Sequence, residues 1–289
     1  MHPFEDLVVP AGAVGIHWFG QSSYALKDEA GTTVLVDPYF PRERPATRFV
    51  HRRPPLWEES LRPDFVLLTH NHRDHTWPES LQRIWAAFPE APYFGPRESE
   101  QEMRKAGMGT APFTVVAAED QVQLGTMRAH AVWAKPPGGL PEDKIEPPDV
   151  THLGFVVDTG AVRVYISGDP VHTFAEHESL LEPVRALRPE IGMLTCQPGE
   201  GEFPSFAGSA EVAVKVGLKT AVPAHYSCFV SRNYDPQEWA SHLPVGGPQP
   251  LIIPYNQSIL YAPWVYFSQR FQKAKASACM GRSNLWPPS

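Results

Sequence analysis

A chain of 289 residues that is 42% hydrophobic and 20% charged can bury one sizeable core, which argues against a disordered protein and for a single α/β domain. Its net charge of −7 and pI near 5.9 argue against broad binding to nucleic acid or to anionic membranes, both of which need a basic face. Cys196, Cys228 and Cys279 are odd in number and lack paired spacing, so reduced thiols are expected rather than a secreted disulfide framework.

Met1 to Asp6 has neither a basic start nor an apolar h-region, and no apolar stretch reaches the length of a membrane span. The expected location is the cytoplasm. Val14 to Phe19, Tyr24 to Leu26 and Thr33 to Val36 read as strands punctuated by Gly20 and Gly31, an antiparallel meander. Many of the 32 prolines gather in Pro41 to Pro55, in Pro136 to Pro148 and in the tail, and mark irregular connections of the kind that serve as lids or binding loops. The first of these, after Asp37-Pro38, carries Arg42, Arg44, Arg48, Arg52 and Arg53 with His51. Guanidinium forks suit phosphate and carboxylate, so Arg48 and Arg52 are candidates for holding an anionic substrate; the alternative is a solvated loop neutralised by Glu43, Glu58 and Glu59.

The apolar run Phe65-Val66-Leu67-Leu68-Thr69 leads directly into His70-Asn71-His72-Arg73-Asp74-His75. Neutral imidazoles suit zinc and related divalent ions, and a carboxylate offsets the charge of a second cation nearby. Chance placement of this pattern at the chain's composition is about one in a thousand. At the end of a buried strand the first two histidines can reach one ion while Asp74 and His75 reach another. Asp37 is a candidate for accepting the second N–H of a metal-bound imidazole.

Glu79 to Phe88, with Leu81, Ile84, Trp85 and Phe88 on one side, predicts an amphipathic helix packed behind the metal loop. Val115, Val122, Leu124 and the alternating Met127 to Trp133 predict further strands. The Pro-rich stretch from Lys135 to Val150 ends just before His152 and is expected to overhang the metals. A dinuclear site needs six or seven ligands, and three more candidates stand at strand termini. His152 opens the run to Val157, Asp169 ends the run from Val162, and His225 follows Ala221 to Ala224. His172 is a candidate proton donor to a leaving group. His17, His130, His177 and His242 have no comparable context and read as structural or surface residues, and Cys228 reads as packing. Glu211 to Leu218 and Pro236 to His242 predict helices. Strand clusters interrupted by helices fit two sheets sandwiched between helices, among other α/β layouts.

In this order, H-x-H-x-D-H, then His, Asp and His, the chain resembles the metallo-β-lactamase-fold metallohydrolases, and every position of their ligand pattern is filled. The resemblance implies a four-layer αββα sandwich with two divalent ions. It implies that His70, His72 and His152 bind the first ion, that Asp74, His75 and His225 bind the second, and that Asp169 bridges them. A finer resemblance, over roughly residues 14 to 262, is to the L-ascorbate-6-phosphate lactonase branch. It rests on Phe94-Gly95-Pro96, Ser167-Gly168-Asp169, Gly208-Ser209-Ala210-Glu211 through Val222-Pro223-Ala224-His225, and Asn233-Tyr234-Asp235-Pro236. His152 departs from that branch and follows the wider superfamily.

The chemistry expected is hydrolysis of a small ester or lactone by a hydroxide bridging two metals, with Asp74 also orienting the nucleophile. Zinc is the first expectation and manganese the second. One alternative is a phosphodiesterase similar to the N-acyl-phosphatidylethanolamine phospholipase branch, which shares the pattern Gly20-Gln21-Ser22-Ser23; another is a non-catalytic metal-binding or redox protein. The expected partner is a small molecule, with neither nucleic acid nor membrane, and a homo-oligomer stays open. One domain over residues 1–268 is expected, with 269–289 an extension, either flexible or docked on a neighbouring subunit.

Overall fold

The computed structural model describes residues 1–199 and 201–263, so the extension expected at 269–289 and Cys279 lie outside the described residues. One sheet contains β1 (Val14–Trp18), β2 (Tyr24–Lys27), β3 (Thr33–Val36), β4 (Phe65–Leu67), β5 (Tyr93–Gly95) and β6 (Phe113–Val115). The other contains β7 (Gln121–Leu124), β8 (Met127–Trp133), β9 (Leu153–Asp158), β10 (Arg163–Ile166), β11 (Ile191–Thr195), β12 (Thr220–Ala224) and β13 (Gln249–Pro250). The last strand, β14 (Gln257–Tyr261), returns to pair antiparallel with β1. The spatial orders are β14-β1-β2-β3-β4-β5-β6 and β13-β12-β11-β10-β9-β8-β7.

Each sheet is antiparallel on one flank and parallel on the other. The β1-β2-β3 meander pairs antiparallel, whereas β3 to β6 run parallel, as do β10 to β13. Parallel strands need both faces covered, and the sequence obliges with a period of two. Val34 and Val36 of β3 enter the core between the sheets, while Leu35 points away into a second core with Val66, Leu68, Leu81, Ile84 and Met103. The last three belong to α1 (Pro78–Ala87) and α2 (Arg97–Lys105), which cover the first sheet. Leu180 and Val184 of α3 (Glu178–Ala186), Val212 and Val216 of α4 (Phe206–Val216) and Trp239 of α5 (Pro236–Ala240) cover the second. The result is the αββα sandwich that the resemblance implied.

Several predicted boundaries move, most by a residue or two. The helix expected from Glu211 begins at Phe206, because Ser205 caps it by accepting from the Gly208 N–H at 3.1 Å; Gly217, at φ 81°, ends it. The helix expected to reach His242 stops at Ala240. The strand expected to end at Asp169 stops at Ile166, and Ser167-Gly168-Asp169 turns instead. Gly168 sits at φ 58° against the Leu153 carbonyl, where a Cβ would collide, so only glycine fits that turn.

Candidate metal centre

All seven residues predicted as ligands meet at one pole of the sandwich, at the ends of strands from both sheets. His70 to His75 follow β4, His152 precedes β9, Asp169 follows β10 and His225 follows β12. Backbone hydrogen bonds fix the approach. The Leu153 N–H donates to the Thr69 carbonyl at 3.0 Å, which ties the start of β9 to the histidine loop. The His225 N–H donates to the Gln21 carbonyl at 3.2 Å and the Gln21 N–H to the Tyr226 carbonyl at 3.0 Å, which joins the sheets at the other side.

The side chains form three overlapping groups, each with ligand atoms within 4.8 Å of one another: His70, His72 and His152; His70, His75 and Asp169; and Asp74, His75 and His225. Asp169 lies between the outer groups. One of its oxygens, Oδ2, is 3.5 Å from His70 Nε2 and 3.3 Å from His75 Nε2, and the other, Oδ1, is 3.6 Å from His225 Nε2. Asp74 Oδ2 is 3.6 Å from His225 Nε2 and 4.0 Å from His75 Nε2.

The donor set fits divalent metal. Buried polar atoms nearly always have partners, yet His70 Nε2, His75 Nε2, both ring nitrogens of His152 and Asp169 Oδ1 have none among the described residues. These orphans converge on one small volume. Imidazole and carboxylate without thiolate suit zinc, manganese or iron.

Charge is divided unequally across the cluster. Burial keeps His70 neutral, well below its ordinary value. Burial also drives His152 down to about 3, helped by the Lys135 ammonium. Burial opposes charge on His75 too, but the Asp169 and Asp37 carboxylates outweigh it and hold that imidazole well above its ordinary value. Burial would raise Asp74 and Asp169, but the neighbouring His225 and His75 imidazoles pull both below the usual carboxylate range.

Asp37 occupies the place expected of it. Its Oδ2 lies 2.8 Å from His75 Nδ1 and accepts from the Thr69 hydroxyl at 2.7 Å, while Oδ1 accepts from the Thr69 N–H at 2.8 Å. His75 is thereby oriented with Nε2 toward Asp74 and Asp169. Gln21 and Asp149 reach the cluster without having been predicted. The buried Gln21 amide nitrogen is 2.7 Å from Asp74 Oδ2 and 2.7 Å from His225 Nε2. Gln21, Asp37 and His225 have φ of 55°, 43° and 70°, a left-handed backbone that non-glycine residues adopt at a cost of roughly 1–3 kcal/mol each and that clusters at functional sites. Asp149 sits on the Pro-rich stretch, 3.1 Å from His72 Nε2 and 3.9 Å from His152 Nε2, so that stretch does overhang the pole.

Besides a 200 Å³ pocket at His225, Phe203 and Arg232, two cavities flank the cluster. One, of 250 Å³, is lined by His72, Lys135, Asp149 and His172 and roofed by the 136–148 loop. His172 is exposed there and borders the site without touching Asp169. The other, of 270 Å³, is lined by Tyr39, Arg48, Arg73, Asp74, Phe229, Ser231 and Arg232. Arg52, expected beside Arg48, is exposed and lines neither cavity. Cys228 is buried beside Arg44, and burial pushes its thiol up to about 11, which fits packing and not nucleophilic chemistry. No helix among the described residues is long and apolar enough to cross a membrane.

Residues 32–226 match the family model of the β-lactamase superfamily domain. A UPF0173 metal-dependent hydrolase of Archaeoglobus fulgidus is 26% identical over 78% of this chain and 88% of its own length. Isothiocyanate hydrolase from Delia radicum gut bacteria superposes with a TM-score of 0.66 at 19% identity, covering 86% of this chain and 100% of that one. Igni18, a metallo hydrolase of Ignicoccus hospitalis, gives 0.65 at 16% identity over 86% and 98% of the two chains. The chain belongs to the β-lactamase superfamily domain family and has the metallo-β-lactamase fold.

Proposed function

We propose that this chain is a metal-dependent hydrolase that holds two divalent ions and cleaves a small ester or lactone. The observation that carries the reading is the set of unpartnered buried ligand atoms arranged as two histidine-rich groups with Asp169 between them. His70, His72 and His152 would hold one ion and Asp74, His75 and His225 the other, zinc first and manganese second in expectation. Two such ions lower the pKa of water toward neutrality and polarise the bond to be cleaved.

The chain's own residues do the rest. Asp37 fixes the ring of His75, and Gln21 fixes the Asp74 carboxylate, so the ligands meet substrate without rearrangement. His172, in the cavity beside His72, is placed to give a proton to a leaving oxygen. Flanking cavities of 250 and 270 Å³ suit a small molecule. The A. fulgidus relative, described as a metal-dependent hydrolase, supports the reaction class.

The test is elemental analysis of the purified protein together with hydrolysis of a lactone panel and of bis-p-nitrophenyl phosphate, before and after chelation. About two metals per chain and chelator-sensitive lactone cleavage are expected. Diester cleavage alone would replace this reading with a phosphodiesterase, and a protein without metal or activity would leave a non-catalytic scaffold.

A further inference from the structure

The cavity beside Asp74 has a charge pattern that the metal centre does not require. The Arg48 guanidinium lies over the Phe49 and Phe229 rings at 5.4 and 5.5 Å, that of Arg73 over the Trp77 ring at 5.8 Å and that of Arg232 over the Phe203 ring at 5.3 Å. All three line or border the same 270 Å³ space. Arg232 has a partial partner in Glu202 at 3.4 Å. Arg48 and Arg73 have no carboxylate within 4.0 Å among the described residues, unlike Arg42, which is neutralised by the fully buried Glu58 at 2.6 Å.

A guanidinium attracted to an aromatic face keeps its N–H groups available, and those groups suit phosphate and carboxylate. In a chain of net charge −7, two unpaired arginines and a third half-paired one around a single cavity form a local field opposite in sign to the whole. Asp74 also lines the cavity, but its carboxylate is engaged by the Gln21 amide and faces His225. Tyr39 and Ser231 add hydroxyls at the wall.

We propose that Arg48, Arg73 and Arg232 form an oxyanion-binding subsite, so that the substrate carries a phosphate or carboxylate group held here while its scissile bond lies over the ligand cluster. This deepens the hydrolase reading and rests on it only for the fate of the bound molecule. Binding itself is read without turnover.

The experiment is calorimetric titration of the metal-loaded protein with inorganic phosphate and, separately, with malonate. Four proteins are compared: wild type, Arg48→Gln/Arg73→Gln, Arg232→Gln and Arg52→Gln. Metal content is measured on each. The double variant should weaken binding of the preferred anion by about tenfold or more. Arg232→Gln should weaken it less, because Glu202 already takes part of that charge, and Arg52→Gln should leave it within twofold. Whichever anion binds tighter names the group on the substrate. Equal affinity in wild type and the double variant would overturn the subsite, since the anion would then sit on the metals or nowhere. An equal loss in Arg52→Gln would also overturn it, by reducing the effect to net charge. Anion binding with wild-type response but no hydrolysis of any ester or lactone would instead sink the hydrolase reading and leave the subsite standing.

Discussion

Two regions bury histidine, and they do so in opposite ways. His17, in the middle of β1, is 2% exposed among His2, Phe4 and Phe19, and both of its nitrogens are engaged: Nδ1 lies 2.8 Å from Ser258 Oγ and Nε2 2.9 Å from Asn256 Oδ1. At the pole, His70, His75 and His152 are fully buried with ring nitrogens that no protein atom satisfies. Burial therefore does not mark a candidate ligand; a cluster of unanswered imidazole nitrogens does, because a buried polar atom left alone costs roughly 1–3 kcal/mol unless something absent from the polypeptide completes it.

The largest test of that contrast is to exchange the two classes. His152→Ala should lower metal from about two per chain to about one and cut hydrolysis by about 10³-fold, several kcal/mol of lost charge stabilisation. His17→Asn should keep its metal. Equal metal loss from both variants would show that burial alone governs retention.

Next in size is the support behind the ligands. Asp37→Asn keeps the shape of the carboxylate, yet an amide has a single acceptor oxygen for the Thr69 N–H, the Thr69 hydroxyl and His75 Nδ1. The expected loss is 10- to 100-fold in metal affinity at the Asp74–His75–His225 position, about the usual cost of removing such a partner, measured by competition with a chromophoric chelator. A change within twofold would demote Asp37 to the turn acid before Pro38.

Much of this was legible in the chain, for particular reasons. The seven candidate ligands were readable because they stand at or near the ends of apolar strands, and the spacing within His70 to His75 is improbable by chance. Asp37 was readable as a candidate partner for an imidazole N–H, and the fold brings its carboxylate to His75 Nδ1. Gln21 escaped. It lies on the turn between β1 and β2, and its bonds to Asp74 and His225 span 53 and 204 residues, so no local pattern points to them. The Gly20-Gln21-Ser22-Ser23 stretch carries a family likeness but no local mark of a site. Helix α3 escaped as well, since Pro183 inside it reads as a breaker. So did β11, a short run with Gly192 in it, where helix and strand cannot be told apart by period. Arg48 and Arg52 looked equivalent in sequence; only the path of the chain separates them.

The engaged histidine makes a prediction of its own, smaller and dependent on pH. Burial pushes His17 down to about 4, against the pull of the Asn256 hydrogen bond, and the neighbouring His2 adds to the depression. The folded state therefore holds it neutral while the unfolded chain binds a proton below about 6.5. Stability from the neutral ring is present above pH 6.5 and is lost as pH falls from 6.5 toward 4, by at most about 3 kcal/mol. Denaturant unfolding of wild type and His17→Asn across that window should show the steeper fall in wild type; parallel curves would mean that the ring is already solvated when folded.

The smallest expected effect concerns Asp149, where the two regions' logic meets. Its carboxylate lies 3.1 Å from His72 Nε2 but is 70% exposed, so water and salt screen the contact. The hydrogen bond from His72 overcomes the slight burial and lowers the carboxyl below its ordinary value. Exposed pairs of this kind are weak, and a cation held by His70, His72 and His152 has three imidazole nitrogens without it, two of them on buried rings. What Asp149 does hold is the loop from Pro136 to Pro148, which roofs the cavity beside His172 and makes few other ties to the pole. Asp149→Asn should therefore change metal affinity by less than about threefold, while limited proteolysis cuts that loop faster than in wild type. A tenfold loss of metal would instead make Asp149 a ligand, and unchanged proteolysis would show that other contacts, such as Asp143 to His177 at 3.3 Å, anchor the loop.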